Sequence, residues 1–131
     1  MVTDMERIGD QAADIAELTI MMADSPYLLN VEHIKKMSAE TVMMLMQAVQ
    51  AYVERDMKKA QEVIEHDDIV DELFVKVKTD LIEVMRNNAD YAEHAADLLM
   101  VNKYLERIGD HATNIAEWVI FSIDDHVNKK A

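Results

Sequence analysis

A twelve-residue segment occurs twice in this chain, and its two copies start one hundred residues apart. The first copy, ERIGDQAADIAE, spans residues 6–17, and the second, ERIGDHATNIAE, spans residues 106–117; nine of the twelve positions are identical. This offset exceeds the roughly 20 to 50 residues of a solenoid repeat, but it suits a unit of three long helices. We therefore expect one complete unit preceded by the last part of another, so that the chain is truncated at its N-terminus.

Very few residues in this sequence interrupt helices. Glycine and proline account for three of its 131 residues, too few for the frequent turns of a β-sandwich or barrel. Pro26 marks the end of a helix, and Asp56 can cap the start of another. The pattern predicts an all-α chain with helices at about residues 1–24, 31–55, 56–86 and 90–123, followed by a frayed tail at 126–131.

Apolar residues at helical spacing predict which face of each helix is buried. On the second helix this stripe consists of Ile34, Met37, Val42, Leu45, Met46 and Val49. On the third it consists of Ala60, Val63, Ile64, Val70, Leu73, Val77, Leu81 and Val84. Helices of about 38 to 50 Å that are joined by short turns bury such stripes by packing antiparallel. We therefore expect a long-helix antiparallel bundle.

The predicted domain organisation follows from this bundle. Residues 31–125 form one complete three-helix unit, and residues 1–24 form the last helix of a preceding unit whose other helices are missing. The apolar stripe of that first helix consists of Met5, Ile8, Ala12, Ile15, Leu18 and Met22. We expect that the bundle or a second copy of the chain covers this stripe, giving a four-helix arrangement or a homodimer.

The chain is strongly acidic, with a formal net charge of −13. This charge repels nucleic acid and anionic lipid, and it favours cations and basic protein surfaces. The longest apolar run has five residues, far short of the roughly 20 that a membrane span needs, and no signal peptide is present. Because cysteine is absent, disulfides, thiolate metal sites and cysteine nucleophiles are excluded. We expect a cytoplasmic protein without membrane insertion.

Pairs of carboxylates one helical turn apart are the candidate functional residues. Glu6 with Asp10, and Glu106 with Asp110, recur at the same register in both repeats. Such like charges repel each other, whereas a hard cation stabilises them because carboxylate oxygens are its preferred ligands. Asp67 and Asp71 have the same spacing, and they lie in a segment, residues 62–72, that contains six acidic residues and no lysine or arginine. Four carboxylates from neighbouring helices suffice for a divalent or multinuclear metal site; the alternative is a solvated acidic surface.

Other chemistry has little support in the sequence. No glutamate is followed three residues later by histidine, as a ferritin-like di-iron site requires, and His66 and His111 are interpreted as packing or surface residues. No nucleophile or phosphate-loop motif is present. Gly9 and Gly109 fall within helices, which suggests close approach of a neighbouring helix. A carboxylate-metal helical enzyme, such as a di-iron oxidase or phosphohydrolase, and a purely structural bundle remain as alternatives.

The doubled ERIGDxAxxIAE motif, with HDDIVDELF at residues 66–74 between its copies, closely resembles the PhoU family of phosphate-uptake regulators. The resemblance covers essentially the whole chain. It implies two tandem three-helix bundles, each with an acidic signature, of which this chain contains the second bundle and the last helix of the first. By this resemblance Glu6 and Asp10 belong to a first metal site whose partner pair lies on helices absent from this sequence.

The resemblance also implies a site and a function for the complete bundle. Its two acidic signatures match Asp67 with Asp71 and Glu106 with Asp110, which would hold multinuclear iron or another divalent metal. The implied function is that of a non-enzymatic, cytoplasmic and usually dimeric negative regulator of phosphate uptake. Its implied partners are the ATPase subunit of a phosphate ABC transporter and a sensor histidine kinase.

Overall fold

The structure is a computed structural model that describes residues 6, 7, 9, 10 and 32–130. Three α-helices follow one another, α1 (Glu32–Glu54), α2 (Met57–Asn87) and α3 (Ala92–Lys130), with a 3₁₀ turn at Ala89–Tyr91. Residues 6, 7, 9 and 10 are also helical, while the rest of the predicted first helix lies outside the described residues. No strand occurs in the part of the chain that is described, and the predicted all-α bundle is confirmed.

Asp56 connects α1 to α2 and serves both helices. Its backbone N–H donates to Ala51 O at 3.0 Å and closes the end of α1, while Arg55 has the left-handed φ of 54° that is common at this position. The side chain of Asp56 then accepts the N–H of Lys59 at 3.1 Å and caps α2, as the sequence predicted. Because only Arg55 and Asp56 separate the two helices, α2 folds back directly along α1.

A polar turn joins α2 to α3. Asn88 donates its backbone N–H to Val84 O at 3.0 Å, and its side chain accepts the N–H of Asp90 at 3.2 Å. The predicted break around residues 87–90 is thus present. At its other end α3 continues to Lys130, so the helix extends beyond the expected end near residue 123 and through most of the expected frayed tail. No proline or glycine follows Gly109 to end it earlier.

The centre of the core follows positions that alternate three and four residues apart on each helix, and we call these the core positions. Leu73, Ile108 and Ile115 are buried beside them. On α1 the core positions are Ile34, Met37, Thr41, Met44, Ala48 and Ala51, all of them buried. On α2 they are Ala60, Val63, Asp67, Val70, Phe74, Val77 and Leu81. On α3 they are Ala95, Leu98, Asn102, Leu105, Gly109, Ala112, Ala116 and Val119.

The predicted stripe of α1 was partly wrong. Ile34 and Met37 are buried, but Val42, Met46 and Val49 are exposed and form a second apolar face. Three of the four core positions that follow Met37 carry the small side chains Thr41, Ala48 and Ala51, which is why apolarity alone selected the wrong face. No helix in the described part of the chain is both long and apolar enough to cross a membrane.

Candidate metal centre

A carboxylate occupies a core position of α2. Asp67 lies three residues before Val70 and four after Val63, in line with the buried apolar side chains of the helix. It is the one charged residue among the seven core positions of α2. The packing of the bundle therefore carries this carboxylate to the contact between α2 and α3 and leaves it only partly exposed.

Two further carboxylates converge on Asp67. Asp71 lies one turn further along α2, and Asp110 follows the core position of Gly109 on α3. One oxygen from each of the three side chains lies within 4.8 Å of the other two. Asp71 and Asp110 are exposed, so the cluster opens to solvent on one side. This arrangement brings together three of the four carboxylates that the sequence assigned to the complete bundle.

Burial and neighbouring carboxylates raise the pKa of all three residues of the cluster. Burial is the largest cause that raises the pKa of Asp67 to about 6 from its ordinary 3.8, and the charges of Asp71 and Asp110 add to it. Loss of hydration, followed by the charge of Glu106, raises the pKa of both Asp71 and Asp110. The site thus concentrates negative charge, and Lys103 and His111 offset part of it at Asp110, where they lower the pKa.

One oxygen of this cluster has no protein partner. Asp67 Oδ1 is buried and makes no hydrogen bond to any group in the described part of the structure. A buried carboxylate oxygen without a partner is unfavourable, and buried charges normally are paired or coordinate a metal. The donor set, three carboxylates, is of the type that hard divalent cations prefer. The residues present therefore fit a metal ion.

Glu106, the fourth predicted ligand, lies at the edge of the cluster. Its Oε1 accepts from Lys103 Nζ at 3.3 Å, and its side chain is not among the three that converge. Its charge still reaches the site, because it raises the pKa of Asp71 and Asp110. Lys103 in turn lies 5.4 Å from the centre of the Phe74 ring on α2.

The remaining predicted ligands are not brought to this cluster. Glu6 and Asp10 are helical and exposed, and they join no group of three potential ligands among the described residues. His66 contacts Glu40 on α1, and His33 Nδ1 lies 2.5 Å from Asp80 Oδ2, so two histidine–carboxylate contacts connect α1 to α2. His66 therefore has a packing position, as expected from the sequence.

The two glycines of the repeat have different surroundings. At Gly109 an added Cβ would lie 3.4 Å from Val70 Cγ1 and 4.0 Å from Met44 Sδ, so both other helices approach it as predicted. These distances are ordinary van der Waals contacts, and the position does not require glycine. At Gly9 no described atom lies within 4 Å of an added Cβ, and because most of the surrounding segment lies outside the described residues, the expected close approach stays a prediction there.

The sequence contained a signal that would have singled out Asp67. The alternation of three and four residues runs without interruption from Ala60 to Leu81 only if Asp67 is counted as a core position. A single charge at such a position is unusual. The spacing of carboxylates one turn apart indicated Asp67, but the predicted apolar stripe of α2 had this residue at its side and not within it.

Comparison with known protein families gives a result that matches these boundaries. A model of the family described as PhoU domain matches residues 34–119. These limits coincide with Ile34 and Val119, the first and last buried core positions. The matched region therefore contains the whole core of the bundle and the three converging carboxylates.

Similar proteins give the same result. A phosphate-specific transport system accessory protein PhoU homolog from Clostridium acetobutylicum is 37% identical over 123 residues, covering 94% of this chain and 56% of that protein. One from Burkholderia sp is 31% identical over 126 residues, with coverages of 94% and 54%. The crystal structure of PhoU from Pseudomonas aeruginosa matches with a TM-score of 0.90 at 28% identity, covering 95% of this chain and 60% of that one.

The chain thus spans about half the length of the curated relatives it matches. Those relatives are named as accessory proteins of a transport system and not as enzymes, in agreement with the non-enzymatic function predicted from the sequence. The match to the family model, the similarity to these proteins and the shared fold together establish that the chain belongs to the PhoU domain family.

Proposed function

We propose that this chain is the metal-binding bundle of a regulator of phosphate uptake that acts by binding and not by catalysis. The names of its relatives support the association with a phosphate transport system. The convergence of three carboxylates, one of them with a buried oxygen that has no described partner, supports metal binding as the chemistry of the bundle. The proposed setting is the cytoplasm, and the proposed assembly is a homodimer.

The metal proposal depends on one observation above all, the buried Asp67 Oδ1 that has no described partner and lies in the cluster with Asp71 and Asp110. These three residues would hold iron or another hard divalent cation. The ion would supply positive charge that offsets their mutual repulsion. Glu106 would join them in a multinuclear cluster if the ion displaces Lys103 from it.

The assignment of Glu6 and Asp10 to a second metal site stays a separate prediction. Two carboxylates on one exposed helical face are too few for a closed site. We propose that further ligands for this pair come from helices outside this sequence or from another chain.

The proposed partners are the ATPase subunit of a phosphate ABC transporter and a sensor histidine kinase. The net charge of −13 favours docking to basic protein surfaces over binding free phosphate. A cluster of carboxylates repels a phosphate anion, so we propose that phosphate status reaches this protein through its partners.

Metal titration tests the first part of the proposal. We expect the protein, purified with a chelator and then dialysed, to take up Fe²⁺ or Mn²⁺ in anaerobic isothermal titration. The double variant Asp71→Ala with Asp110→Ala should bind at least tenfold more weakly and keep its helical circular dichroism spectrum. The matched control is Glu62→Ala with Glu65→Ala, which removes two exposed carboxylates from α2 outside the cluster. Equal uptake by the cluster variant and the wild type would refute the site.

A binding assay tests the second part. We expect the purified transporter ATPase and the sensor kinase to be retained by the immobilised protein, with retention that changes when iron is added. The cluster variant should lose that iron dependence. If neither partner is retained with or without iron, the chain does not act as an adaptor between them.

A further inference from the structure

Apolar side chains are exposed together at the end of the bundle where α1 turns into α2. Val53 is 72% exposed, and Trp118 and Phe121 on α3 are 43% and 70% exposed. Most of a folded protein's large side chains of this kind are covered, and exposed aromatic groups in one place mark interaction surfaces. This end of the molecule lies about 15 Å along α2 from Asp67, so it is separate from the carboxylate cluster.

A cavity of about 330 Å³ opens between α1 and α3 at this end, and we call it the corner pocket. Its walls include Tyr52, Val53, Arg55, Trp118 and Ser122. The rings of Tyr52 and Trp118 lie 5.6 Å apart between centroids, with an angle of 50° between their planes. The volume suits one or two large side chains of a partner.

Arg55 supplies a cation to the corner pocket at a conformational cost. Its φ of 54° is left-handed, a conformation in which glycine is the usual residue at the end of a helix. The neighbouring Glu54 pairs with Lys59 Nζ at 2.8 Å, and Arg55 makes no ion pair with any described residue. In a chain with a net charge of −13, this guanidinium is thus left available beside two aromatic rings.

From this juxtaposition we propose that the corner pocket is a docking site for a peptide segment of a partner protein in which an apolar or aromatic side chain adjoins a carboxylate. The apolar side chain packs against Tyr52 and Trp118, and the carboxylate pairs with the fork of Arg55. Tyrosine, tryptophan and arginine are the residues most enriched where binding energy concentrates. A single carboxylate complements the single charge of the Arg55 guanidinium, whereas the acidic field of the chain disfavours a doubly charged group.

Peptide binding at the corner pocket can be followed by intrinsic fluorescence, because Trp118 is the one tryptophan of the chain. The probe is the peptide acetyl-Gly-Leu-Phe-Asp-Leu-Gly-amide, and its analogue carries asparagine in place of aspartate. We expect saturable change in tryptophan fluorescence with the full chain in the presence of a chelator, and at least fivefold weaker binding of the asparagine analogue. No saturable change with either peptide would overturn the proposal.

The variant Arg55→Gly separates docking from folding. Because glycine adopts a left-handed φ without strain, this variant should melt at the same temperature as the wild type or higher. It should bind the aspartate peptide at least fivefold more weakly and no longer distinguish it from the asparagine analogue. The control Lys76→Gln removes an exposed cation elsewhere on α2 and should bind like the wild type. Full discrimination between the peptides by Arg55→Gly would contradict the role of Arg55.

The chelator keeps this test independent of the metal proposal. A protein that binds the peptide but takes up no metal would keep the corner pocket and refute the metal site. A protein that takes up metal but does not bind the peptide would support the metal site and refute the corner pocket.

Discussion

Asp67 occupies a position that the packing of α2 otherwise gives to apolar side chains. Its neighbours at the preceding and following core positions, Val63 and Val70, are almost completely buried. A hydrophobic residue at position 67 would pack there without loss of hydration. The bundle therefore tolerates a residue that is unfavourable for stability at the point where two other carboxylates converge. Such a residue is expected where the requirements of binding, and not those of stability, determine which amino acid occupies the position.

The pH dependence of stability follows from the raised pKa of Asp67. Its pKa of about 6 in the folded protein exceeds the ordinary 3.8, so the folded state binds this proton more tightly than the unfolded state. The stabilising contribution is full below about pH 4 and is lost as the pH rises through 6. The variant Asp67→Asn removes this loss. We expect it to melt at a higher temperature than the wild type at pH 7.5 in the presence of a chelator.

Thermal unfolding followed by circular dichroism between pH 4 and pH 8 measures this difference. The advantage of Asp67→Asn over the wild type should grow between pH 4 and 6 and stay constant above. A difference that does not vary with pH would show that Asp67 titrates normally.

Gly109 allows a second prediction at the same scale. Its added Cβ would meet Val70 and Met44 at ordinary contact distances, and helices disfavour glycine relative to alanine by about 0.5 to 1 kcal/mol. Gly109→Ala should therefore raise the free energy of unfolding by about that amount in urea titration. The reverse change at the neighbouring core position, Ala112→Gly, should lower it by at least as much. Destabilisation by Gly109→Ala would indicate that the helices cannot accommodate the methyl group.

Among the elements, α1 is the one for which sequence and structure differ most. Its core positions carry Thr41, Ala48 and Ala51, while larger apolar residues lie on the exposed face. Periodicity finds apolar positions at helical spacing, but it cannot decide between two faces that both satisfy the spacing. The contacts with α2 and α3 decide it. For α2 every residue of the predicted stripe is buried or partly buried, because most of its opposite face is charged, but the stripe left out Phe74.

The difference between the two faces is measurable as stability. Leu73 is 4% exposed and packs in the core, and Leu73→Ala should lower the free energy of unfolding by about 2 to 4 kcal/mol. Met46 is 59% exposed, and Met46→Ala should change it by less than about 0.5 kcal/mol. Urea titration of both variants provides the comparison. Equal losses would mean that the outer face of α1 is covered in solution.

For the whole molecule, the fold was predictable and the full site was not. The repeat, the scarcity of helix breaks and the two short turns define an antiparallel bundle of three helices. The convergence of the carboxylates depends on the rotation of α2 against α3, which brings Asp110 to Asp67 and leaves Glu106 beside Lys103. A sequence gives the spacing along each helix but not this relative rotation.

Metal binding should stabilise the whole bundle, since the proposed ligands come from two helices that are adjacent only when the protein is folded. At a free concentration one hundred times the Kd, binding to the folded state adds about 2.7 kcal/mol. We expect Mn²⁺ to raise the melting temperature of the wild type at pH 7.5. The rise should shrink below pH 6, where protons compete for Asp67. The variant Asp71→Ala with Asp110→Ala should show no rise; an equal rise there would place the ion elsewhere.

The turn at Arg55 and Asp56 has a mechanical consequence. Asp56 completes the end of α1 and the start of α2, and His33 and His66 contact carboxylates across the interface between these helices. The two helices therefore form a tightly connected hairpin. The carboxylate cluster, in contrast, spans α2 and α3, and a longer polar turn joins those helices. We therefore expect an ion bound at the cluster to shift α3 more than α1, and Trp118 lies about two turns beyond Asp110 on α3. The fluorescence of Trp118 would then respond to occupancy of the carboxylate cluster.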